Sequence, residues 1–209
     1  MHYTPHSTMT SDSGGSAFLP VLVLSATEEE HRDHVIPRQF HRDRSAVAVG
    51  LVAELIFHGA ATTSGERVKV LNGTAIEWLA APCGRAIRTA LSRDLTVGDM
   101  LAEIESPAYR VAWTVLKRQR AARKSLLRKW VLTKPELTFA WRHMLTSAHQ
   151  GHSTDDVRAA ALWAILDSAG VHRDQLQASG LQPRYACPDV IFPLLQPIRR
   201  TPASRRQHR

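Results

Sequence analysis

The chain has 209 residues, 44% of them hydrophobic and 22% charged, which suits one well-buried domain and is short for two. No stretch approaches the eighteen or so apolar residues of a membrane-spanning helix, and no N-terminal basic region is followed by an apolar run and cleavage site, so a soluble, unexported protein is expected. A formal charge of +8 and a pI near 10.2 point to phosphate-rich partners, either nucleic acid or an anionic lipid surface.

Residues 1–16 are polar and hold the tract Thr10-Ser-Asp-Ser-Gly-Gly-Ser16, too poor in apolar surface to offset the entropy of ordering, and are expected to form a disordered arm. The run Phe18 to Leu24 suits a strand or the first turns of a buried helix. Glu28 to Arg44 is dense in both charges and interrupted by Pro37, which reads as a surface loop. Ser45 can cap a helix to about His58, because Val47, Leu51 and Leu55 recur at spacing four and Gly59 follows as a stop.

Ser64-Gly65 and Asn72-Gly73 are turn signals around Val68-Lys69-Val70-Leu71, a strand whose expected hairpin partner is 74–80. Pro82 and Gly84 close that section, and helices are expected over 84–92, 96–105, 107–125, 135–149 and 155–169. Ser153 and Asp156 are spaced like a capping box for the last of these, which ends at Gly170. Beyond Gly180, Pro183, Pro188, Pro193, Pro197 and Pro202 are too many for a helix interior, and residues 199–209 form a basic, mobile tail. The folded domain is thereby placed at 17–198.

The densest charge is Lys117, Arg118, Arg120, Arg123, Lys124, Arg128 and Lys129, seven basic residues in thirteen positions with no acidic one among them. On a continuous helix Arg110, Lys117, Arg120 and Lys124 share one side, opposite Val111, Val115, Ala122 and Leu126. One side packs and the other meets anions.

Catalytic and metal chemistry find little support. His31 with His34, and His143 with His149 and His152, lack the HExxH or cysteine context of a zinc site. Cys83 and Cys187 have no metal-type spacing and read as reduced thiols. No GxSxG, SxxK, GxGxxG or GxxxxGK[ST] motif occurs. Trp113, Trp141 and Trp163 fall on amphipathic helices where core packing is their ordinary use, whereas Trp130 adjoins Arg128 and Lys129 and Trp78 lies in the expected hairpin.

Several segments, in order, resemble the Golgi phosphoprotein family, whose eukaryotic members are phosphatidylinositol 4-phosphate adaptors and which has bacterial, notably actinobacterial, relatives. Gly50-Leu-Val-Ala-Glu-Leu-Ile-Phe-His-Gly59 is similar to that family's apolar helix ending in E-L-A-L-R-G-R. Pro82-Cys-Gly84 resembles its P-T-G-D, Thr96-Val-Gly-Asp-Met-Leu-Ala-Glu-Ile104 its S-V-R-D-W-L-x-x-L, and Pro107-Ala-Tyr-Arg110 its P-G-L-R. Asp156 to Gly170 is similar to D-x-R-x-x-A-L-x-x-L-x-x-A-x-G, and together these segments cover about residues 18 to 180.

The resemblance implies a mainly α single domain, a central helical bundle ringed by amphipathic helices with one or two small β-hairpins, and no catalytic activity or cofactor. It implies a non-enzymatic adaptor in the bacterial cytoplasm, peripheral to the inner face of the membrane, that binds an anionic phospholipid headgroup and can carry protein cargo or self-associate. The family's pocket arginine falls at Ala48 and its tryptophan at Gln39, so Phe40, Arg42 and Arg44 stand as nearby substitutes. With Arg110, Lys117, Arg118 and Arg120 they make the expected headgroup site. The alternative is a helical nucleic-acid-binding protein that sets the same basic face against backbone phosphates.

Overall fold

A computed structural model describes residues 18–33, 40–71, 82–125, 130–133, 135–150, 156–178 and 186–200. Among the described residues the chain is mainly α, with eight α-helices and two antiparallel two-stranded hairpins.

Two helices make the centre. In α1 (Leu19–Asp33) every described side chain from Leu19 to Glu29 is buried, and in α2 (Phe40–Phe57) the same holds from Ser45 to Leu55. A helix apolar on all sides must be surrounded by others. The two run antiparallel at very close range, because Gly50 lies against the α1 backbone, where an added Cβ would sit 3.3 Å from the Pro20 N and Cα atoms. That approach lets the buried Glu54 carboxylate accept the Leu19 backbone N–H at 3.3 Å, one of the first-turn donors that α1 itself cannot satisfy. Glu54 also pairs with Arg158 at 2.7 Å and His58 at 3.2 Å.

Around this pair pack α4 (Val97–Arg118), α5 (Pro135–His149), α6 (Asp156–Ala169) and α8 (Phe192–Arg200), with α3 (Pro82–Leu91) against α4 and the short α7 (Arg173–Ala178) against α6. The expected bundle with outer amphipathic helices is the fold observed. On α3, Ile87, Ala90 and Leu91 face the core while Arg85, Arg88 and Thr89 are exposed, a one-sided pattern at helical spacing. Trp113 and Trp141 are core residues, and Trp163 is half-buried against the core's edge. Trp78 and the side chains of Trp130 and Cys83 lie outside the described residues, as does the expected N-terminal arm.

Several sequence expectations need correction. The expected loop Glu28 to Arg44 begins as the last turns of α1 and ends as the first turns of α2. Its glutamates turn inward, with Glu28 accepting the Tyr109 hydroxyl at 3.2 Å, Glu29 the Trp141 indole N–H at 2.7 Å and Glu30 the His172 backbone N–H at 3.1 Å. Each carboxylate has a donor from a different part of the chain, which is what permits the burial of Glu28 and Glu29.

The strand at Arg67–Val70 (β2) pairs with the preceding Ala61–Ser64 (β1), through the Gly65 turn. The segment 74–80 lies outside the described residues. Helices expected at 96–105 and 107–125 are one helix, α4, that passes through the buried Pro107 and stops at Arg118. Proline removes one ladder bond, and the buried stripe Ile104, Ala108, Val111 and Ala112 carries the helix across it. Beyond it Ala122–Lys124 (β3) pairs with Trp130–Leu132 (β4).

The proline-rich end is also helical, since α8 contains Pro193 and Pro197 while burying Leu194, Leu195 and Ile198. Arg199, expected in a mobile tail, instead closes α8 onto α6 by donating from Nε to the Ser168 hydroxyl at 3.1 Å. Residues 201–209 lie outside the described residues.

Candidate anion-binding surface

From Pro107 to Lys134 the chain has nine basic residues and no acidic one. The structure divides this stretch between the second half of α4 and the β3–β4 hairpin. Arg110, Lys117 and Arg118 are exposed on α4, Arg120 is exposed in the turn after it, and Arg123 and Lys124 are exposed on β3. Arg110 and Lys117, seven residues apart, share a helix face and stand about 10 Å apart along the axis.

The turn at Arg120 breaks the expected single helical face. Arg120 adopts φ 55°, its N–H donates to the Lys117 carbonyl at 3.0 Å, and the Ala121 N–H donates to the Leu116 carbonyl at 2.8 Å. This is a Schellman ending with its usual apolar contact between the fully buried Leu116 and Ala121. Arg120 and Lys124 therefore do not continue the row begun by Arg110 and Lys117. The turn carries Arg120 and β3 carries Lys124.

Among the described residues none of Arg110, Lys117, Arg118, Arg120 or Arg123 has an ion-pair partner. Four arginines elsewhere do, for Arg67 pairs with Asp94, Arg93 with Glu103 at 2.8 Å, Arg142 with Glu29 at 2.8 Å and Arg158 with Glu54 at 2.7 Å. Among the described residues, these five charges have no carboxylate paired with them. Arg85 and Arg88 on α3 are a further exposed pair that sequence reading missed, although their spacing of three opposite Ile87 and Leu91 was the available signal.

Arg44 is differently placed. It is half-buried where α2 begins, with its guanidinium 5.5 Å from the centre of the Tyr109 ring, and so it meets α4 one residue before Arg110. Glu28 accepts the Tyr109 hydroxyl, and Glu105 accepts the Ser45 hydroxyl beside it. Tyr109, which faces Arg44, and Ser45, its neighbour in sequence, are thus each held by a carboxylate, a pairing the motif reading did not identify. Ala48, where the sequence resemblance would place an arginine, is fully buried. The side chains of Phe40 and Arg42 lie outside the described residues.

No family model matches the chain, and neither a curated protein nor a solved structure matches it. Among the described residues no three His, Cys, Asp or Glu side chains are grouped to hold a metal ion, and His143 and His149 are exposed on α5. No described helix is long and apolar enough to cross a membrane.

Proposed function

We propose that this protein is a non-enzymatic, peripheral-membrane adaptor that attaches to anionic phospholipid through the basic surface of α4 and β3. The observation that carries the proposal is the exposure of Arg110, Lys117, Arg118, Arg120 and Arg123 without acidic partners among the described residues. The family likeness agrees with it, and so does the mainly α architecture. Each basic side chain near an anionic leaflet contributes on the order of 1 kcal/mol, so five together suffice for reversible attachment without a buried anchor.

The chemistry asked of these residues is simple. Guanidinium groups donate charge-assisted bonds to phosphate oxygens, and Lys117 acts as a mobile point charge. Attachment weakens as salt rises because exposed charges are screened within about 8 Å at physiological ionic strength.

Co-sedimentation with vesicles of phosphatidylcholine and phosphatidylglycerol tests the proposal on the full chain. The triple variant Arg110→Glu, Lys117→Glu, Arg118→Glu is expected to remain in the supernatant while the parent chain pellets. Unchanged binding by the variant would refute it. A steep salt-dependent shift of duplex DNA with no vesicle binding would transfer the same surface to nucleic acid.

A further inference from the structure

We infer that the α4–β3 surface responds to the density of anionic lipid in a leaflet and not to the identity of one headgroup. This rests on the membrane attachment proposed above and narrows it. The occupant is a leaflet of ordinary phosphodiester lipids, such as phosphatidylglycerol, in place of a singly recognised phosphoinositide.

A stereospecific headgroup site needs several donors converging on one phosphate, held by packing before the ligand arrives. Here the cations are spread. Arg110 and Lys117 are separated by about two helical turns, or 10 Å. Between them Thr114 is half-buried and its hydroxyl already donates to the Arg110 carbonyl at 2.8 Å. Beyond Lys117 the Schellman turn redirects the chain, so Arg120 and Arg123 extend the positive surface onto the hairpin.

Among the described residues, those beside Arg110 at the junction of α2 and α4 are already engaged with one another. Arg44 lies over Tyr109, whose hydroxyl is tied to the buried Glu28, and Glu105 holds Ser45 one turn before Tyr109. Ala48 is fully buried and supplies no donor.

Exposed cations spread along a surface and facing a plane of negative charge act additively, each sensing the local potential, which is set by the mole fraction of anionic lipid. That geometry discriminates dense from sparse charge. Among the described residues no set of donors converges to read the ring position of a phosphate.

The test uses the full chain with phosphatidylcholine vesicles carrying either phosphatidylglycerol or phosphatidylinositol 4-phosphate, matched in surface charge over a series of anionic mole fractions. The expected result is equal affinity for the two sets, within about two-fold, rising steeply with mole fraction. Arg110→Ala, Lys117→Ala and Arg123→Ala should each weaken both by about five-fold, with unchanged thermal melts. A preference of about ten-fold or more for phosphatidylinositol 4-phosphate at matched charge overturns this inference and leaves membrane attachment standing. Binding to neither set overturns both.

Discussion

Trp141 donates its indole N–H to Glu29 at 2.7 Å, joining α5 to α1 across 112 residues of sequence. Arg142 binds the other Glu29 oxygen at 2.8 Å, and the Trp141 ring stacks on His172 with centroids 4.9 Å apart. The His172 ring nitrogen Nε2 lies 3.0 Å from the Ala26 carbonyl, so one short stretch of α1 gathers α5 and the segment after α6. Glu29→Ala strands a buried indole donor and removes the carboxylate from Arg142, which keeps its bond to Gln175 at 3.0 Å. A loss of about 3 kcal/mol is expected in urea unfolding, with Trp141→Phe losing less because it keeps most of the packing.

Gly50→Ala tests the close approach of α1 and α2. Helix propensity alone favours alanine by about 1 kcal/mol. The added Cβ, however, would lie 3.3 Å from Pro20 backbone atoms and 3.4 Å from the Leu19 carbonyl carbon, and backbone cannot swing aside as a side-chain end can. A net loss of about 1 to 3 kcal/mol is expected. A variant more stable than the parent would show that the helices separate readily.

Three helices end in the same way, at Gly59 with φ 66°, Gly170 with φ 71° and Arg120 with φ 55°. In each case the residue after the left-handed one bonds back to the last turn, Ala60 to Leu55, Val171 to Leu166 and Ala121 to Leu116. Only glycine adopts this conformation without a Cβ penalty. Arg120→Gly should therefore stabilise the fold by about 0.5 to 1 kcal/mol, and Gly170→Ala should destabilise it by about 1 kcal/mol. Arg120→Gly should at the same time weaken vesicle binding, which separates the residue's structural strain from its charge.

Cys187 is half-buried, and that burial is the main reason its thiol is raised from 9.0 to about 11, with Arg199 opposing the shift and Asp189 adding to it. In a Cys83→Ser chain at pH 8 its thiolate fraction, and hence its alkylation by iodoacetamide, should be about 100-fold below that of an ordinary thiol in the folded protein. The linkage runs in the same sense. Because the neutral thiol is favoured in the folded state, this contribution to stability is complete below pH 9.0 and is lost as pH rises through about 11. Urea midpoints of Cys187→Ala should lack that part of the alkaline decline.

Most of the helical frame could be read from apolar spacing. Val47, Leu51 and Leu55 located the core of α2, and the periodicity of 156–169 located α6, because an all-round or one-sided apolar pattern has few alternatives to burial. Gly59 and Gly170 marked helix ends because glycine advertises a left-handed residue. Arg120 takes the same conformation without that signature, so the basic run looked like uninterrupted helix. Tertiary contacts overrode local preference there, since burying Leu116 and Ala121 outweighs the strain on one arginine.

The basic composition of residues 107–134 and the helical class belong to the sequence alone, because net charge and hydrophobic period do not depend on what packs against what. The tertiary structure decided which charges remain available. Glu28, Glu29 and Glu30 read as a solvated run, yet each meets a donor brought from at least 81 residues away, and such pairings leave no trace in local spacing. The same packing half-buries Arg44 and turns Arg110, Lys117, Arg118, Arg120 and Arg123 outward. A charge costs much to bury without a partner and little to leave in water, and only the folded chain shows where the partners are.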